Sequence, residues 1–177
     1  MFEFLKFRKQ ERRQVVVALH GFGRRRTDEF LPLKNFLAAK NIELIMPELF
    51  NPRNPQDVDP QKWIQRAEEV VDQLAAQNAE VILVGFSMGG VIAAHLAAVD
   101  LLKQDAALVE CPVLIFHGTD DETISVSSSR KIYKKIPAAQ KGLIMLEGVG
   151  HAILDDPVYA SLALNTIAAF IADQFHF

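Results

Sequence analysis

Two kinds of apolar pattern alternate along this 177-residue chain. Short unbroken runs fall at Gln14-Val15-Val16-Val17-Ala18-Leu19, at 42–46, at 80–84 beginning with Glu80, at Pro112-Val113-Leu114-Ile115-Phe116 and at Leu143-Ile144-Met145-Leu146. Their β-branched content and continuity are those of strands buried on both faces. Between them apolar residues recur at helical spacing: Phe30, Leu33, Phe36 and Leu37 in a segment reaching about Lys40; Trp63, Ile64, Ala67, Val70, Val71 and Leu74; and the Ala-rich run from Val91 to Ala98. Two further helices are expected over about 127–136 and after Pro157. Thr27 or Asp28 is the expected cap of the first helix and Asn41 its end; Asp59 followed by Pro60 opens the second, and Asp155 or Asp156 with Pro157 opens the last. Strands alternating with helices through right-handed crossovers give an α/β fold, a minimal doubly wound parallel sheet of about five strands with helices on both faces. No linker divides residues 15–177, which read as one domain behind a basic and apolar segment, 1–14.

Composition narrows this picture. Half the residues are hydrophobic, enough for a sizeable core, and the longest apolar runs are too short to span a bilayer, so no integral membrane segment is expected. The first residues mix charge into their apolar positions and lack a small-residue cleavage site, unlike a secretory signal. The single cysteine, Cys111, excludes an internal disulfide and is expected to be a small buried or half-buried residue in a reducing compartment, which makes the cytoplasm the default location. Eight Lys/Arg stand against two Glu through Arg26, so the net charge of −3 divides into +6 there and −9 beyond. A solvated basic tail explains this more simply than an anion site at Arg24-Arg25-Arg26, although Phe2, Phe4, Leu5 and Phe7 beside the basic residues keep a lipid-surface role open.

The chemistry concentrates at Val81-Ile82-Leu83-Val84-Gly85-Phe86-Ser87-Met88-Gly89-Gly90. Here a strand turns sharply into a helix with a serine at the corner. Side chains at 85 and 89 would collide with neighbouring backbone, the Met88 N–H faces a developing oxyanion, and the helix amino terminus adds partial positive charge. Taken alone, G-x-S-x-G also describes a turn whose serine caps the helix. A second turn, His20-Gly21-Phe22-Gly23, ends the first strand and offers the Phe22 N–H as another oxyanion donor, with His20 orienting the loop. A serine hydroxyl needs an imidazole to take its proton and a carboxylate to orient that imidazole. Ser87, Asp121 and His151 occur in that order, each after a strand, at the edge where active sites of such sheets lie. The loop from Pro47 to Pro60 is expected to wall the cleft.

With the HGFG turn, the GFSMGG elbow, His117-Gly118-Thr119-Asp120-Asp121-Glu122-Thr123-Ile124 and Gly148-Val149-Gly150-His151, the sequence from Val15 onward resembles the α/β-hydrolase fold serine hydrolases, especially small carboxylesterases and monoacylglycerol-lipase-like and thioesterase-like members. The resemblance implies Ser87 as nucleophile, His151 as general base, Asp121 as acid with Asp120 as the alternative, and Phe22 and Met88 as oxyanion donors. It implies cleavage of a small acyl ester or thioester without cofactor or metal, and no nucleic-acid partner. His117, His95 and His176 have plainer expected roles, in a turn, within a helix and near the chain end. Only about a dozen residues separate the elbow helix from Cys111. The acid-bearing strand is therefore expected beside the nucleophile strand, with a cleft that is open or covered by a partner subunit in a homo-oligomer. Two other classes fit less well: a non-catalytic binding or sensor domain on the same fold, and a flavodoxin-like phosphate binder.

Overall fold

The computed structural model describes residues 12–23, 28, 30–99, 109 and 111–175. Its centre is β1 (Gln14–Leu19), in which every residue from Val15 to Leu19 is completely buried. Alternate side chains of this strand serve opposite faces, as the twofold repeat of a strand requires. Val15, Val17 and Leu19 pack with Trp63, Ala67 and Leu74 of α2 (Pro60–Ala76) and Ile92 of α3 (Met88–Val99). Val16 and Ala18 pack on the other face with Leu33 and Leu37 of α1 (Leu31–Ala38) and Ile171 and Phe175 of α5 (Ala160–Phe175). Each fully buried Val or Leu contributes about 1.5–3 kcal/mol, so this two-sided strand anchors the fold.

β1 pairs in parallel with β2 (Glu43–Ile45) on one edge and β3 (Glu80–Gly85) on the other. β4 (Val113–Gly118) and β5 (Lys141–Leu146) form a second parallel pair, joined by α4 (Val126–Lys135). The fold is thus the expected α/β arrangement with parallel strands and helices on both faces. The sheet, however, is divided into β2-β1-β3 and β4-β5, and contrary to expectation β4, which precedes Asp121, does not pair with β3, which precedes Ser87. Val113 and Ile115 of β4 pack instead with Ala97 of α3 around buried Val109, Ile136 and Ala138. One edge of β3 therefore has no strand partner among the described residues. Its apolar residues Val81 to Val84 are only half-buried, in contrast to β1.

Local boundaries follow the caps in part. Asp59 accepts a hydrogen bond from the Gln61 N–H at 3.0 Å with Pro60 opening α2, as its sequence predicts. Asn41 and Asn78 adopt left-handed backbone just past α1 and α2. The first helix begins later than its polar residues suggest: its N-cap is Phe30, without a side-chain cap, and Asp28 lies in a preceding 3-10 turn, while Thr27 falls outside the described residues. Burial of Phe30 against the core sets that start. Asp156 accepts from the Val158 and Tyr159 N–H groups and so caps a turn, and α5 starts only at Ala160. Cys111 is exposed, contrary to expectation, because it lies outside β4 on the approach to it. Residues 1–11, Arg24-Arg25-Arg26 and His176 lie outside the described residues. Among the described residues no helix is long and apolar enough to cross a membrane.

Candidate active site

β3 delivers the chain to Ser87 at the carboxyl edge of the sheet. The Phe86 N–H still bonds to the Leu19 carbonyl at 3.0 Å, and one residue later the backbone turns through φ 51° at Ser87. Among the described residues the other non-glycine positions with positive φ are the two asparagines past helix ends, where this conformation is ordinary. A serine held there between a strand and a helix carries local strain of order 1–3 kcal/mol, sustained by its surroundings. Gly89 is part of that support. A Cβ at this position would run into the Leu19 carbonyl, so only glycine lets the first turn of α3 seat against the end of β1. Gly90 N–H closes a turn onto the Ser87 carbonyl at 3.0 Å.

The loop after β1 lies directly beside the serine. An added Cβ at Gly21 would stand 3.2 Å from Ser87 Cβ and 2.9 Å from the Phe86 ring. His20 is fully buried and fixes this loop: its Nε2 accepts the Leu49 N–H at 3.0 Å, which leaves Nδ1 as the protonated nitrogen, donating to the Gly21 carbonyl at 2.8 Å. The imidazole therefore couples the HGFG turn to the loop after β2. The backbone N–H groups of Phe22 and Met88 have no acceptor among the described residues. Phe22 N–H sits one residue beyond Gly21, and Met88 N–H lies at the amino terminus of α3, where the helix dipole favours negative charge.

Asp121 and His151 lie after β4 and β5. His151 Nδ1 is 2.8 Å from Asp121 Oδ2. The other carboxylate oxygen, Oδ1, accepts the N–H groups of Thr123 and Ile124 at 2.9 and 2.8 Å, so the carboxylate cannot rotate freely. Burial disfavours the charged form of Asp121, but the hydrogen bonds from His151, Ile124 and Thr123 outweigh it and hold its pKa below the ordinary 3.8. The two loops are joined to each other as well. Thr119 N–H bonds to Leu146 O at 2.9 Å, Asp120 N–H to Val149 O at 3.0 Å, and Gly148 N–H to Thr119 Oγ1 at 2.8 Å. Gly118 makes this approach feasible, since a Cβ there would collide with the Val149 carbonyl.

The structure thus separates the two aspartates. Asp120 points to Thr119 Oγ1 and is exposed, while Asp121 faces the imidazole. His117 Nε2 lies 3.0 Å from the Ile124 carbonyl and 3.6 Å from Asp121 Oδ2, which ties down the turn holding the acid. His95 on α3 lies 3.9 Å from Glu68 of α2, away from this group. The Phe86 and His151 rings meet at 5.1 Å between centroids and 47°, so the imidazole sits against the residue preceding Ser87. No hydrogen bond joins Ser87 Oγ to His151 among the described residues. Among those residues no group of three or more His, Cys, Asp or Glu side chains is gathered as a metal would require.

Several residues of the surroundings escape a reading by motif. The Pro/Asn-rich loop is fastened by Asp57, whose carboxylate takes the Arg66 guanidinium at 2.8 Å, the Asn51 N–H at 2.7 Å and the Trp63 indole N–H at 3.2 Å. Arg66 also donates to the Leu49 carbonyl at 2.6 Å. Trp63 carries a helical-stripe signal that marks it as core and hides this second role. Hydrogen bonding from Arg66 foremost, and from Asn51, overcomes burial and lowers the Asp57 pKa below 3.8. A depressed folded-state pKa stabilises the protein fully above the unfolded value of about 3.9, and the gain is lost as pH falls through the folded value. Emission of Trp63, the only tryptophan, should therefore stay constant through the ordinary carboxylate range and shift only at more acid pH, where the lowered Asp57 carboxylate takes up its proton. In Asp57→Asn the shift should already be present at neutral pH; an unchanged acid step in that variant would refute the assignment.

Residues 15–115 match the model described as the Alpha/beta hydrolase family, and the chain belongs to that family. Residues 96–158, which carry Asp121 and His151, match a model described as Serine aminopeptidase, S33. Among individual proteins, the chain is 44% identical over 43 residues to the Alpha/beta hydrolase domain-containing protein aho-3 of Caenorhabditis elegans, a stretch covering 24% of this chain and 13% of that relative. In structure it is similar to Est1E from Butyrivibrio proteoclasticus, with a TM-score of 0.76, 16% identity and coverage of 97% of this chain and 92% of that one. A Paleococcus ferrophilus monoacylglycerol lipase gives a TM-score of 0.78 at 13% identity, covering 90% and 94% of the two chains. At these identities the two structures speak for a shared fold.

Proposed function

We propose that this protein is a serine hydrolase that cleaves carboxylic esters, or thioesters, through an acyl-enzyme. The observation that carries the proposal is the Asp121–His151 hydrogen bond, set against Phe86 beside a serine in strained backbone. With Nδ1–H directed at the carboxylate, Nε2 bears the lone pair and is free to act as a base. Ser87 Oγ attacks the carbonyl carbon as His151 Nε2 takes its proton, and the oxyanion forms within reach of the Phe22 and Met88 N–H groups. The same nitrogen returns the proton to the leaving group, and a water molecule, activated in turn, releases the acid. Asp121 stabilises the transient imidazolium. The absence of a Ser87–His151 hydrogen bond among the described residues does not oppose this scheme, because catalytic hydrogen bonds commonly tighten only with substrate bound.

The lack of that hydrogen bond, together with the divided sheet, favours the second reading: a binding or sensor domain that retains the pocket without turnover. Two measurements on the purified protein decide between them. A fluorophosphonate probe should label Ser87, located by peptide mass, and short p-nitrophenyl esters should be hydrolysed. A protein that neither takes the probe nor turns over any ester of the series is the binding domain.

A further inference from the structure

We infer that the ring of Phe22 is the specificity-determining surface of this site, a platform for a flat aromatic group carried by the substrate. The inference rests on the ester-hydrolase reading and deepens it. Phe22 is 66% exposed although it lies one residue from Gly21, which abuts Ser87. Its ring is nevertheless rigidly backed. It stacks on Phe50 at 5.0 Å and 28° and meets Trp63 at 5.7 Å, while Phe50 and Trp63 are themselves buried and 5.5 Å apart. Buried His20 packs edge-on to Phe50 at 5.3 Å, and the Asp57–Arg66 network fixes both the indole and the loop bearing Phe50. A lone exposed phenylalanine would be an ordinary surface residue. Here three aromatic side chains and their hydrogen-bonded frame hold an exposed ring one residue beyond the glycine that abuts Ser87.

Other exposed apolar residues follow strands at the same edge of the sheet. Among the described residues the most exposed large hydrophobic side chains besides Phe22 are Val58, Val91 and Val158. Each lies on a segment leaving the carboxyl end of a different strand: β2, β3 and β5 respectively. This is the edge of the sheet that carries Ser87 and His151. An aromatic ring packs on phenylalanine in offset or edge-to-face geometry, whereas a saturated ring of the same size offers apolar area without that geometry.

The test uses paired esters in which a flat aromatic ring is exchanged for a saturated six-membered ring. Methyl 3-phenylpropanoate against methyl 3-cyclohexylpropanoate probes the acyl arm, and 2-phenylethyl acetate against 2-cyclohexylethyl acetate the alcohol arm. Binding to the Ser87→Ala protein is followed by emission of Trp63, the built-in reporter beneath the platform, and kcat/KM is measured on the parent. The phenyl ester should be favoured about three- to tenfold in one arm, which identifies the arm that docks. Phe22→Leu should bring that ratio to about one, and Phe22→Tyr, with its ring intact, should retain it. Equal behaviour of phenyl and cyclohexyl esters in both arms, or a preference that survives in Phe22→Leu, overturns the platform. Aromatic preference in binding without turnover by the parent would leave the platform standing and remove the hydrolase reading; turnover without preference would do the reverse.

Discussion

Ser87→Ala is expected to lower kcat for ester hydrolysis by about a millionfold, to a residual set by binding and the oxyanion donors alone. The size of the effect follows from the division of labour. His151 has no other hydroxyl positioned at the elbow to activate, since Phe86 and Met88 flank the serine, and without Oγ no acyl-enzyme forms. Folding should be little changed, because alanine keeps the Cβ that already occupies the turn and gives up only the hydroxyl. KM or ligand affinity should therefore move far less than kcat. Burst kinetics with a p-nitrophenyl ester checks the point directly: the parent releases a stoichiometric burst wherever deacylation limits, and the variant releases none. Substantial activity in Ser87→Ala would assign turnover to another group and dismiss the proposed mechanism.

Asp121→Asn is expected to cost about ten-thousandfold in kcat at neutral pH while the structure survives. The geometry specifies how. Oδ1 of Asp121 receives two backbone N–H groups, so the carbonyl oxygen of an asparagine is held at that place and its amide nitrogen must take the place of Oδ2. The amide then donates to His151 Nδ1, reversing the hydrogen bond. The imidazole is driven to the tautomer with its proton on Nε2, facing Ser87, and can no longer accept from it. Asp120→Asn provides the contrast, because Asp120 contacts Thr119 and not the imidazole. Its effect should stay within a few fold, and a loss comparable to that of Asp121→Asn would overturn the choice of acid. Stability carries a signature as well. The lowered pKa of Asp121 stabilises the fold above about pH 3.9, an increment that disappears on acidification and that the asparagine variant lacks at every pH.

What the sequence discloses here is what local sterics and short spacing can encode. The turn at Ser87 is legible because Gly85 and Gly89 are demanded by backbone contacts within and beside the motif itself. The Asp59-Pro60 start of α2 is legible for the same reason, a cap and its helix being neighbours in sequence. Phe30 and Ala160 show where such signals yield. Thr27, Asp28 and Pro157 have the chemistry of helix starts, yet burial of Phe30 and the turn capped by Asp156 set the boundaries. The pairing of strands is a long-range outcome, and nothing in the apolar run at 113–116 says that β4 will pair only with β5. The meeting of Phe22, Phe50 and Trp63, 41 positions apart at its extremes, is hidden likewise. Each residue carries an ordinary local signal, and only the folded chain brings the three rings together.

The divided sheet has a mechanical consequence. Ser87 is borne by the body built on β2-β1-β3 and Asp121 with His151 by the body built on β4-β5, so among the described residues no strand ladder links the candidate nucleophile to the candidate base. The load passes instead through softer couplings: the Phe86–His151 ring contact, Leu154 lodged among the residues packed on Val16 and Ala18, and α5. The centre is thus a joint between two stiff plates with greasy bearings. A methyl group lost from Leu154 or Ile171 is therefore expected to shift His151 relative to Ser87, an alignment that a continuous sheet would hold fixed.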